Sequence, residues 1–235
     1  MSDIEFITYL GCPFAQRTHL VLEEKAIAYR ITEIDLGRKP DWFLELSPYG
    51  KVPVLRRGAD AVFESAIINE YLEELFPTPP LLPADPGRRA TARFWIDFAN
   101  VKLTPTWYKL LLAQDRPLRE ELKRELGDHF LAMERDGIGR LAGGGPYWMG
   151  PELTLVDIAF YPWFERLPVM ATYRDFRLSE ECPKLKAWAA VMAGRPSVKK
   201  LSHPPEYYIR NARKYADGTA SGATAEEMRK ELRGR

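Results

Sequence analysis

Short apolar runs alternate with helical patterns along the first third of the chain. The run "IEFITYL" at 4–10 reads as a buried strand, and "PFAQRTHLVLEEKA" after it carries apolar residues at helical spacing. "YRITEID" predicts a second strand, and "KPDWFLELSPYG" a short, loosely helical connection into a third strand, "KVPVLRR". A Gly-Ala-Asp turn leads to "AVF", a short fourth strand, and then to "SAIINEYLEELF", whose apolar spacing predicts a helix.

The order βαβ followed by ββα is the thioredoxin order, an α/β arrangement. It places a thioredoxin-like unit at 1–77. The stretch "PTPPLLPADPG" packs prolines and a glycine between two helical patterns, so a linker is expected at 78–88. From Arg88 onward the patterns are almost wholly helical, including "TLVDIAFYPWFERLPVMA" and "CPKLKAWAAVMAGRP", which predicts an all-α bundle at 89–205. Beyond Pro205 the chain turns polar, and 206–235 has the composition of a frayed end with one short amphipathic helix.

Composition narrows the functional classes. The 235 residues carry 34 basic and 33 acidic side chains, a formal charge of +1, so no broad field draws nucleic acid or an acidic membrane. The two cysteines, Cys12 and Cys182, form no CxxC pair and no metal-ligand cluster, which argues against a disulfide scaffold and a bound metal. The N-terminus lacks the pattern of a signal peptide, and no apolar run approaches bilayer length. A cytoplasmic protein with free thiols is expected.

Candidate chemistry begins at "GCPFAQRT". Cys12 falls where the first strand hands over to a helix, and a thiol at a helix start meets unpaired N–H groups and the positive end of the dipole, both favouring thiolate. Pro13 suits the first helical position. A resolving cysteine three residues on would attack a mixed disulfide, but that position is Ala15, so an outside thiol must release one. Position alone leaves a second reading open, in which Cys12 is a small packing residue. His19 lies about 10 Å further along the helix and reads as a surface residue. Cys182, before a proline in the helical half, reads as structural.

The motifs "CPFAQRT", "KPDWFLELSPYGKVPVL", "FESAI", "YPWFERL" and "CPKLKAWAAVM", in that order, resemble the cytosolic glutathione transferases, and among them the cysteine-type omega class. The resemblance runs from the first strand to about Pro196. It implies a thioredoxin-like glutathione-binding domain followed by a helical domain. It also implies that Cys12 is catalytic, that Phe14 neighbours it in the glutathione site, and that Lys39 meets the glycyl carboxylate. Val52 precedes Pro53, which resembles the family's cis-proline, an arrangement that presents the Val52 backbone to an extended peptide. Glu64 and Ser65 resemble the pair holding the γ-glutamyl end, a carboxylate for the ammonium and a hydroxyl with a helix-start N–H for the carboxylate. Trp163 and Arg166 resemble residues lining the second-substrate pocket.

Each has a plainer reading: Lys39 as a solvated charge, Pro53 as an edge-strand proline, Ser65 as a helix cap, Trp163 and Arg166 as a core aromatic and a structural arginine. Thr154 and Asp157 have the spacing of a capping box, a folding role. The chain starts at its first strand, without the N-terminal extension of the animal omega enzymes, and its tail does not match theirs.

The resemblance implies thiol transfer with glutathione as co-substrate: thioltransferase, dehydroascorbate reductase or deglutathionylation of glutathionyl ketones, with a small hydrophobic or disulfide second substrate and a homodimeric assembly. Two rivals stand beside it. Conjugation to electrophiles needs a hydroxyl at glutathione sulfur, for which Tyr9 and Thr18 are the nearby candidates. A non-enzymatic binding protein on the same fold has no need of the Glu64–Ser65 pair.

Overall fold

The computed structural model describes residues 3–233. Strand β1 (Ile4–Thr8) is buried on both faces because it is central: it pairs in parallel with β2 (Arg30–Glu33) and antiparallel with β3 (Val54–Arg57). β4 (Asp60–Phe63) closes the order β2-β1-β3-β4. The β3–β4 hairpin turns at Gly58, whose φ of +59° is the left-handed value that this tight loop needs. Between them, α1 (Pro13–Glu24) follows β1, α2 (Asp41–Leu46) precedes β3, and α3 (Ser65–Leu75) follows β4.

The two sheet faces lead to different cores. Ile7, Ile34, Phe43, Val52 and Val54 form a small core under α2. Ile4, Phe6 and Leu55, with α1 and α3, open into a core continuous with the helical half. The sheet is therefore half wrapped by its own helices and half by the rest of the chain.

The linker is not loose. Lys25, its ammonium buried, bonds the Phe76 and Pro79 carbonyls at 2.7 Å each and pairs with Glu73 at 2.6 Å. The Glu73 carboxylate in turn accepts from the N–H groups of Leu81 and Leu82. α4 (Pro86–Phe98) starts inside the stretch read as linker, because Asp85 caps it by accepting from Arg88 N–H at 2.8 Å.

α4 runs through a wide turn into α5 (Thr104–Leu112), then come α6 (Arg116–Ala132), the single turn α7 (Gly139–Leu141) and the central α8 (Leu155–Glu165), buried along ten of its eleven residues. Its capping box forms on Thr154 and Asp157, and the buried Asp157 carboxylate also accepts from Trp148 N–H and Trp188 Nε1. α9 (Leu167–Arg174), α10 (Pro183–Gly194) and α11 (Pro196–Leu201) complete the bundle.

The frayed tail is corrected. The chain forms two more helices, α12 (Pro205–Ala216) and α13 (Ala223–Arg233). Tyr208, Ala212, Tyr215 and Ala216 recur at helical spacing, as do Ala225, Met228 and Leu232, so each helix has an apolar stripe that composition alone hides. His19 is also corrected: it is buried, packed on Phe6 and Tyr29, with its Nε2 2.7 Å from the Tyr29 hydroxyl.

Candidate functional site

One cavity of about 390 Å³ lies between the α/β half and the helices. Cys12, Phe14, Lys39, Val52, Pro53, Glu64, Ser65, Trp163 and Arg166 all line it. The structure thus brings these nine residues together around one space.

The thiol is placed by backbone. Cys12 is the N-cap of α1, its N–H bonded to Tyr9 O at 2.9 Å and its carbonyl accepting from Gln16 N–H at 3.0 Å. Gly11 leaves room for the Tyr9 ring: a Cβ there would stand 2.7 Å from it and displace it. The half-buried Cys12 Sγ lies 3.8 Å from Val52 O across the cavity floor, and the Val52–Pro53 peptide is cis.

The helix start does favour the Cys12 thiolate as expected, but burial outweighs it. Burial is the largest influence and pushes the Cys12 thiol above its ordinary value. The N–H groups of Ala15 and Phe14, and then the cations of Arg166 and Arg17, work against it. Three phenols face the same space. Burial raises Tyr9, Tyr108 and Tyr215, the last to about 12, so each stays a neutral donor.

Glu64 caps α3 with a left-handed φ of +69°, a strained value for a residue with a Cβ. Glu64, not Ser65, is the N-cap, and Ser65 is the first residue inside the helix, which removes its plainer reading as a cap. Lys39 forms no hydrogen bond or ion pair with the described residues, and its Nζ sits against Gly50. Lys51, beside Val52, is held by Glu227 of α13 at 2.8 Å.

On the opposite wall Trp163 is fully buried, edge-on to Phe14 with ring centroids 5.6 Å apart, and its indole N–H has no partner among the described residues. Arg166 also lines the cavity, but its guanidinium is already engaged. It donates to Gln16 Oε1 at 2.6 Å, Pro162 O at 2.9 Å and Gly11 O at 3.3 Å, and lies over the Tyr208 ring. Its hydrogen bonds fit the structural arginine better than a free substrate contact. Thr18 faces Asn69 in the core and does not line the cavity.

Tyr108, Tyr215, Met228 and Glu227 also line the cavity and escaped the sequence reading. The apolar spacing of the tail was the available signal for Tyr215 and Met228. Among the described residues no cluster of three or more His, Cys, Asp or Glu is placed to hold a metal.

Residues 11–75 match the family description "Glutathione S-transferase, N-terminal domain", and residues 106–190 match "Glutathione S-transferase, C-terminal domain". Glutathione S-transferase omega-1 of Sus scrofa is 33% identical over 88% of this chain and 86% of its own length. The chain belongs to the glutathione S-transferase family. Within that family, glutathione transferase Omega 3C from Trametes versicolor superposes with a TM-score of 0.82 at 31% identity, covering 92% of this chain and 91% of that one. Rice GST1, solved in complex with glutathione, gives a TM-score of 0.81 at 30% identity over 90% of this chain and 97% of its own. The thioredoxin-like half and the helical half expected from the sequence are thus the two halves of the glutathione transferase fold.

Proposed function

We propose that this glutathione transferase is an omega-like thiol transferase whose nucleophile is Cys12. Glutathione lies along the α/β wall, its γ-glutamyl end at Glu64 and Ser65, its backbone paired with Val52, Phe14 beside the thiol, and its glycyl carboxylate toward Lys39. The Cys12 thiolate attacks the glutathionyl sulfur of a mixed disulfide. A bond forms between Cys12 and glutathione sulfur, and the departing thiolate takes up a proton. The thiolate of a second glutathione then attacks the enzyme-bound glutathionyl sulfur, releasing oxidised glutathione and the Cys12 thiolate. The same first step on a glutathionyl ketone expels an enolate, which protonates to the ketone.

The observation that carries this reading is the isolation of Cys12: its Sγ opens on the cavity at Val52, Ala15 holds the resolving position, and Cys182 is buried in the helical half. Cys12→Ala is expected to remove thioltransferase activity toward hydroxyethyl disulfide by at least a thousandfold, and full activity in that variant would refute the assignment.

A second reading, conjugation to electrophiles, draws on the Tyr9, Tyr108 and Tyr215 hydroxyls around the thiol. It predicts chlorodinitrobenzene turnover that survives Cys12→Ala.

The same proposal includes the assembly and compartment. Ile67 on α3 with Phe94 and Val101 along α4 and its extension are more than half exposed, an apolar face suited to a homodimer. Two free cysteines suit a reducing cytoplasm. No helix among the described residues is long and apolar enough to cross a membrane.

A further inference from the structure

Arginines tie α1 to the helical half at different points along its length. Arg195 grips Glu24 at the C-terminal end, with Nε on Oε1 at 2.7 Å, and the buried Arg17 donates to Ala159 O and Asn100 Oδ1 from further up the helix. A third tie lies at the N-cap, where the thiol stands. There the last residue of α8, Glu165, and Arg166 after it hold the buried Gln16 amide between them. Its Nε2 donates to Glu165 Oε2 at 2.5 Å, and its Oε1 accepts from Arg166 Nη1 at 2.6 Å. With an anion on the nitrogen and a cation on the oxygen, the amide has a single orientation.

Arg166 also reaches the other side of the thiol. Its Nη2 donates at 3.3 Å to Gly11 O, the carbonyl of the peptide that joins Gly11 to Cys12, while the Gln16 N–H bonds the Cys12 carbonyl at 3.0 Å. One guanidinium thus brackets the turn that carries Sγ, with one contact just before Cys12 and one a helical turn after it. The guanidinium is itself held: Nη1 donates to Pro162 O at 2.9 Å, and the centre of the Tyr208 ring lies 4.3 Å from its carbon. The Tyr208 hydroxyl donates to Glu165 Oε2 at 2.7 Å, so α12 closes the same network. An arginine that only joined the two halves, as Arg195 does, would have no reason to engage the peptide next to the thiol.

We infer that Arg166 is a positioning residue for Cys12, bracketing the thiol's turn through Gly11 O and the Gln16 amide so that the helical half sets where Sγ stands in the cavity. The inference rests on Cys12 being the working nucleophile. The groups that act on the thiol from the surrounding elements are Tyr9 at the end of β1, Tyr108 on α5, Tyr215 on α12 and the cations Arg166 and Arg17, Arg166 being the stronger of the two. Around the guanidinium stand Glu165, 3.7 Å away, Tyr161 and Tyr208. Opening the bracket frees Sγ to drift from the N–H groups of Ala15 and Phe14, which oppose the effect of burial, and from the guanidinium itself. The thiol then loses the contacts that favour its ionised form.

The test is the pH dependence of Cys12 alkylation by iodoacetamide in the full chain, followed on the Cys12 peptide by mass spectrometry. Arg166→Met is expected to move the midpoint up by about half a pH unit or more, roughly threefold less thiolate below it. Gln16→Ala removes no charge and is expected to move the midpoint the same way, because the guanidinium then loses one side of its bracket. The double variant is expected to go no further than Arg166→Met, since both changes undo one device. A folded Arg166→Met protein with an unmoved midpoint overturns the inference. So do shifts that simply add, and so does an unmoved midpoint in Gln16→Ala, which decides the matter alone if Arg166→Met does not fold. No arm needs glutathione or a second substrate: thioltransferase activity that survives Cys12→Ala sinks the thiol-transfer reading, whereas the bracket stands or falls on the midpoints.

Discussion

The two walls of the cavity are built by different means. On the α/β wall the functional groups are set by backbone: an N-cap at Cys12, a carbonyl at Val52, and a left-handed residue at Glu64 that brings Ser65 to the first turn of α3. Strand pairing and helix starts fix these positions to within a few residues of chain, and the side chains add little to their placement. On the helical wall Tyr108, Trp163, Tyr215 and Met228 come from four separate helices and meet only as packed side chains. α13 then spans the two, with Glu227 on Lys51 of the α/β half and Glu231 on Lys109 of α5 at 2.5 Å. A wall made of backbone keeps one chemistry, while a wall made of side chains is free to change what it admits.

Acid should disturb the α/β wall first. His19, on the helix that carries Cys12, is pushed from 6.5 to about 4 by burial. Above pH 6.5 folded and unfolded chains are both neutral there and its contribution is complete; as pH falls toward 4, the unfolded chain binds a proton that the folded one refuses, so stability drops. The loss should approach about 3 kcal/mol by pH 4, read by urea unfolding across that range. An equal slope in His19→Gln would assign the loss to other groups.

Next in size is the glutathione end. Ser65→Ala is expected to weaken glutathione binding by about ten- to a hundredfold, roughly the 1.5–3 kcal/mol of a hydrogen bond to a charged group, with the second-substrate KM little changed. Titration calorimetry measures the first and steady-state kinetics the second. Equal effects on both would erase the distinction between the walls.

The smallest effect concerns the strap. Removing the chain after Thr219 takes away α13, and should raise the second-substrate KM several-fold while leaving glutathione affinity within about twofold, since the exposed Lys51–Glu227 pair is worth at most about 1 kcal/mol. A larger loss of glutathione affinity would place α13 on the α/β wall as well.

How far the sequence could be read follows the same division. The strands, the turn at Gly58 and the helix start at Pro13 are written in local patterns of apolar spacing, glycine and proline, and all appear where those patterns put them, within a few residues. The nominated residues converge on one cavity because the motifs lie at strand ends and helix starts, which the topology gathers at one edge of the sheet. Arg166 was named for its motif, but only its hydrogen bonds to Gln16 and Gly11, 150 and 155 residues away, show that it also joins the halves.

The sequence by itself determined the order of elements and that Cys12, at the first helix start, has Ala15 rather than a cysteine in the resolving position. Both depend on residues close together in the chain, where backbone sterics and hydrogen-bond periodicity act. Tertiary structure alone decided the protonation balance at Cys12, the burial of Arg17 and His19, and the closure of the cavity by α12 and α13. Those depend on desolvation and on charges brought together from distant segments, and no local spacing encodes either.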